Sequence, residues 1–163
     1  MKRFNVPIGE YKIAAAPAVL TTVLGSCVGV ILHDKLHGLG GLAHIYLPEA
    51  GLERRVRSNP DTPLGKALKY ADRLIPEILR QMLRMGAEKR HCFAYVVGGA
   101  SIYEFSGNPQ LNIGARNLEK TFTLLDELGL RYMRVKVGGK SGRKVSFSVG
   151  TGDIEIVEFK NGS

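Results

Sequence analysis

The chain has 163 residues, 44% of them hydrophobic and 23% charged, with 20 glycines and two cysteines. This balance excludes a disordered tail, and the length suffices for one domain over residues 1–163 that buries about 70% of its unfolded surface without a disulfide framework. A formal net charge of +8 points to an acidic partner without choosing among nucleic acid, membrane and protein.

In chain order, "EYKIAAA", "VLTTVL", "CVGVILHD" and "GLAHIYL" read as strands, separated by Pro17, Gly25-Ser26 and the group Gly38, Gly40, Gly41. The uncharged stretch from Ile13 to Leu32 has the length of a membrane span. Pro17, Gly25-Ser26 and many β-branched residues favour buried strands instead. "LGSC" after an apolar run imitates the end of an exported lipoprotein leader, but Glu10 and Pro17 do not suit one. A cytoplasmic protein, not inserted in a membrane, is expected.

"PEAGLERRVRSNPD" reads as a surface loop, followed by a helix capped by Asp61 or Thr62 with Pro63 in its first turn. Its apolar face carries Leu64, Leu68, Ala71, Ile75, Ile78 and Met82, and Pro76 is expected to kink or split it. "HCFAYVVGG" returns to strand, and "NIGARNLEKTFTLLDELG" is a second helix stopped by Gly129. "RYMRVKVGG", "KVSFSVG" and "DIEIVEF" close the chain as strands. The order lacks regular β–α alternation, so an α+β fold is expected, a mixed sheet with helices packed on it.

Cys27 follows the Gly25-Ser26 turn and opens a strand; His44 lies near the end of the next, so a hairpin would bring them together. A neighbouring imidazolium would lower a thiol pKa and supply a thiolate nucleophile. Equally, Cys27 is a small buried hydrophobe by residue type and His44 a satisfied strand histidine. Thr21, Thr22 or Asp34 can serve as the group that orients the histidine. The backbone N–H groups of Gly25, Ser26 and Cys27 can face a developing oxyanion. "HDKLH", His33 to His37, lacks the helix and glutamate of a zinc-protease motif, and "VGGKSGRK" lacks the first glycine of a phosphate loop. No metal or other cofactor is expected. Nucleic-acid binding has only net charge behind it and is not expected.

On "GEYKI", "LGSCVGVILHD", "GGLAHIYLP", "KYADRLIPEIL", "VVGGAS", "NIGARN" and "GGKSGRKVSFSVGTGDI", the sequence resembles the CheD family of chemoreceptor glutamine deamidases over nearly its whole length. The resemblance implies a layered α/β sandwich similar to cysteine-dependent toxin deamidases. It implies Cys27 as nucleophile, His44 as acid and base, and Thr21 as third member. Tyr95 and Val97 depart from a lysine and a phenylalanine common in the family. The implied substrates are glutamines on the cytoplasmic coiled coils of methyl-accepting chemotaxis receptors, converted to glutamate through a thioester. The implied partner is the CheC phosphatase. Arg54, Arg55 and Arg57, in a basic stretch, are the expected contact to acidic receptor helices. Two other readings stand beside this one: glutamate methyl esterase on the same receptors, and a mainly non-catalytic module regulating CheC.

Overall fold

The computed structural model describes residues 1–46, 70–101 and 112–159. Among these residues, nine strands form two sheets. The four-stranded sheet has the order β1 (Lys2–Asn5), β3 (Ala18–Leu24), β8 (Arg143–Ser148), β9 (Ile154–Glu158). The five-stranded sheet has the order β2 (Tyr11–Ala15), β5 (Leu39–Ile45), β4 (Val28–Asp34), β6 (Cys92–Gly98), β7 (Arg131–Val137). The described residues also hold two α-helices, α1 (Ala71–Arg84) and α2 (Ile113–Glu127), and one 3-10 turn at Lys89–His91. Parallel pairs (β1 with β3, β6 with β7) and antiparallel pairs make both sheets mixed, as expected for an α+β fold.

The layers follow from which residues each element buries. Ala71, Leu74, Ile75, Ile78 and Met82 of α1 and Leu124 and Leu125 of α2 pack with Val28, Val30, Leu32, Ala43 and Ile45 of the five-stranded sheet. The other face of that sheet, with Cys27, Ile31, Leu42 and Val97, packs on Leu20, Leu24, Val145 and Phe147 of the four-stranded sheet. The stack is therefore helices, then sheet, then sheet. Strands β4 and β5 are buried along their full length because both faces of their sheet are covered.

The uncharged stretch 13–32 thus supplies strand to both sheets, and no helix among the described residues is long and apolar enough to cross a membrane. Pro76 does not split α1, which runs unbroken through it. Asp61, Thr62 and Pro63, the expected start of that helix, lie outside the described residues, as do Arg54, Arg55 and Arg57. Strand β1, with sequence KRFN and three of its four residues exposed, has no apolar alternation to reveal it; it is held by parallel pairing with β3.

Candidate active site

The Gly25–Cys27 turn is where the chain leaves the four-stranded sheet at the end of β3 and enters the five-stranded sheet as β4. Cys27 is 6% exposed, just before the β4 ladder. In the antiparallel register of β4 with β5, Gly29 stands opposite His44 and Val28 opposite Ile45. Cys27 and Gly29 share a strand face by their spacing of two, so Cys27 is the diagonal neighbour of His44 on the face turned toward the second sheet. The residue directly across from His44 has no side chain. Leu24 and Leu42 fill the space over that glycine.

The imidazole is held from the opposite sheet and from the N-terminal segment. His44 Nδ1 lies 2.8 Å from Thr22 Oγ1 and 3.2 Å from the Val6 carbonyl oxygen. Thr22 Oγ1 donates its own proton to that Val6 oxygen at 2.7 Å. A carbonyl only accepts, and a hydroxyl whose proton is already committed accepts as well. Nδ1 must therefore carry the proton, and the lone pair of the neutral ring sits on Nε2. Nε2 is buried and has no hydrogen-bond partner among the described residues.

Thr21, the third member implied by the resemblance, is not at the histidine. Its hydroxyl donates to the Val145 carbonyl at 2.9 Å and meets Ser146 Oγ at 3.2 Å. The reason is strand alternation: Leu20, Thr22 and Leu24 face the interior between the sheets, and Thr21 faces outward over β8. The apolar residues at 20 and 24 were the sequence signal that Thr22 shares the core face.

Electrostatics depart from the expected thiolate. Burial pushes the Cys27 thiol up to about 12 and lowers the His44 pKa, with the Val6 bond acting weakly in the other direction. The resting pair is thiol and neutral imidazole, because both charged forms would lose hydration inside the sandwich.

Two glycine motifs clamp the turn. Gly99 N–H donates to Cys27 O at 2.8 Å and Ala100 N–H to Gly25 O at 3.0 Å. Gly98 has φ +100°, and a Cβ there would stand only 2.5 Å from Cys27 O. Helix α2 closes over this segment because Gly114 lets its first turn rest against the carbonyls of Gly99 and Ala100. Asn117 Nδ2 then reaches both Ser26 O and Tyr46 O at 3.1 Å. The turn is thus held by its carbonyls, and no backbone carbonyl among the described residues accepts from the N–H groups of Gly25, Ser26 or Cys27. Behind the clamp, the glycine-rich loop after β7 folds around the buried Arg143 guanidinium, which donates to the carbonyls of Lys136, Gly138 and Ser141. Asn117 and Arg143 escaped sequence reasoning; an asparagine in mid-helix, against its propensity, was the available signal for the first.

The remaining motif residues serve the opposite end of the sheet. His33 Nε2 donates to the Val149 carbonyl, and Asp34 accepts from His37 Nδ1 at 2.8 Å and from the N–H groups of His37 and Glu88. No three His, Cys, Asp or Glu side chains gather as a metal-ligand set among the described residues.

The family model described as "CheD chemotactic sensory transduction" matches residues 47–158. The chain belongs to the CheD family. It is similar to a protein of Desulfitobacterium hafniense (strain DSM 10664 / DCB-2), 38% identical over 160 residues that cover 97% of this chain and 94% of the relative. A Clostridium novyi (strain NT) protein is 39% identical over 154 residues, 93% of this chain and 90% of its own. An Archaeoglobus fulgidus protein is 34% identical over 157 residues, 96% and 93%. Each of these CheD relatives is named "Probable chemoreceptor glutamine deamidase CheD". The alignment to the Desulfitobacterium protein covers 97% of this chain, so it spans the cysteine turn and the histidine strand as well as the family-model region.

Proposed function

We propose that this protein is a protein-glutamine deamidase that converts glutamines of chemotaxis receptors to glutamates in the cytoplasm, with Cys27 as nucleophile, His44 as acid and base, and Thr22 orienting the imidazole. The observation that carries this reading is the locked tautomer of His44: Nδ1–H is committed to Thr22 and Val6, leaving a basic, unpartnered Nε2 on the strand face it shares with Cys27. The names of the relatives support the choice of a carboxamide on a receptor as substrate.

The chemistry uses the neutral pair. As Sγ attacks the glutamine carboxamide carbon, its proton moves to Nε2 and the carbonyl electron pair moves onto oxygen. The N–H groups of the Gly25–Cys27 turn, which no described backbone carbonyl engages, receive that oxyanion in this reading. Collapse of the adduct breaks the C–N bond, and the nitrogen leaves as ammonia with the proton from Nε2, giving a thioester. Water then surrenders a proton to Nε2 and attacks the thioester; the C–S bond breaks, the sulfur recovers its proton, and glutamate remains. One water is consumed for each ammonia released. Burial suits this route, since no full charge is held on either side chain before substrate arrives.

Arg54, Arg55 and Arg57 belong to this proposal as the surface that meets acidic receptor helices, and CheC as the regulatory partner. The test is mass spectrometry and ammonia assay on receptor cytoplasmic domains incubated with the protein. Conversion of amide to acid that disappears in Cys27→Ala and His44→Ala is the expected result. Turnover that persists in Cys27→Ala would refute the nucleophile, and release of methanol from methylated receptor in place of ammonia would assign the site to esters.

A further inference from the structure

Among the described residues, the antiparallel ladder that aligns the cysteine strand with the histidine strand ends at Val28 and Ile45. Just past that end, Ser26 O on one side and Tyr46 O on the other accept no backbone N–H of the described residues. Asn117 stands between them and gives one N–H of its amide to each, at 3.1 Å. This side-chain bridge at the end of the ladder ties the residue before Cys27 to the second residue after His44.

The orientation of this amide is fixed by its neighbours, because flipping it would set Oδ1 against two carbonyl oxygens. Asn117 is fully buried inside α2, where asparagine is a poor helix former, and its Oδ1 has no partner among the described residues. Against those costs stand the two N–H donations to Ser26 O and Tyr46 O.

We infer that Asn117 is a positioning residue that sets the distance between Cys27 and His44 by bridging Ser26 O and Tyr46 O. The inference rests on the deamidase reading above. Helix α2 is held in place for the task by Asn112, whose Oδ1 accepts from Ala115 N–H and whose Nδ2 donates to Ser101 Oγ at 2.7 Å.

The test compares wild type, His44→Ala, Asn117→Asp and Asn117→Leu by the rate of Cys27 alkylation with iodoacetamide across pH, read on the Cys27 peptide by mass spectrometry. Receptor deamidation is measured in parallel. Asp keeps the shape but turns a carboxylate toward two carbonyls, and Leu keeps the volume without a donor. Folding of each variant is checked by thermal melting, and if Asn117→Asp does not fold, Asn117→Leu decides.

The expected result is that alkylation in the Asn117 variants falls toward the His44→Ala rate and loses its histidine-dependent acid limb. The kcat for deamidation should drop about 100-fold with KM little changed, as for a displaced acid–base pair. A folded variant that alkylates with the wild-type pH profile overturns the role of Asn117 alone. Equal profiles for wild type and His44→Ala remove the dyad, and with it anything for Asn117 to align.

Discussion

At the scale of single residues, the decisive choice is between adjacent threonines. Thr22→Val removes the acceptor that holds the His44 ring and should lower kcat roughly 10- to 100-fold. Thr21→Val loses only bonds to Val145 and Ser146 on the outer face, so it should leave kcat unchanged. Steady-state deamidation kinetics of the two variants check this, and the reverse ranking would return the third role to Thr21. The titration of His44 gives a second expectation. Burial depresses its pKa, so the base stays available below the ordinary histidine value of about 6.5. The acid limb of kcat should therefore lie under pH 6.5. Stability carries the same sign: the unfolded chain binds the proton first, so the contribution is complete above about 6.5 and is lost as pH falls toward the lowered folded value. His33, depressed by its own burial, adds to the loss, and melting temperature should decline across that window.

At the scale of elements, the site depends on how closely α2 approaches the turn. Gly114→Ala shows which effect wins. By helix propensity alone alanine would stabilise this position by about 1 kcal/mol. The added methyl would instead meet the carbonyls of Ala100 and Gly99, and such overpacking costs about 1–3 kcal/mol or more. A net loss of stability with reduced kcat is expected, read by chemical denaturation and deamidation assay. Gly150→Ala, whose new Cβ would have ordinary contact with Ala16 at 3.7 Å, should be nearly neutral.

The same scale shows what sequence could reveal. The hairpin that brings Cys27 toward His44 was legible, because the apolar runs around Gly38, Gly40 and Gly41 mark two long strands. The inner face of α1 was legible at Ala71, Ile75, Ile78 and Met82. Which sheet each strand joins was not, since pairing of β3 with β8 links residues more than a hundred positions apart and local patterns carry no such information. That Thr22 rather than Thr21 contacts His44 needed only alternation along β3. Asn117 needed the fold itself, because its two acceptors lie 71 and 91 residues away.

At the scale of the whole molecule, strand β4 runs from the proposed nucleophile end at Cys27 to a hydrogen-bonded cluster at Asp34. Asp34 is completely buried; burial raises its pKa, but the N–H groups of Glu88 and His37 and the His37 ring outweigh that and hold it below the usual carboxylate value. Asp34→Asn weakens these charged hydrogen bonds, worth about 1.5–3 kcal/mol each. It should lower the melting temperature by several degrees while kcat/KM for deamidation stays unchanged, and a selective loss of kcat would link the two ends. Across the surface, the net charge of +8 predicts that KM for acidic receptor domains rises with salt while kcat does not.

The N-terminal segment has a practical bearing. Val6 supplies a carbonyl to both Thr22 and His44, Gly9 donates to His44 O, and Glu10 accepts from His44 N–H. The leading residues thus bond directly to the Thr22–His44 pair and to the His44 backbone. Deleting Val6 would leave the Thr22 hydroxyl and the His44 ring without their shared acceptor, so the histidine would lose the anchor that fixes its tautomer.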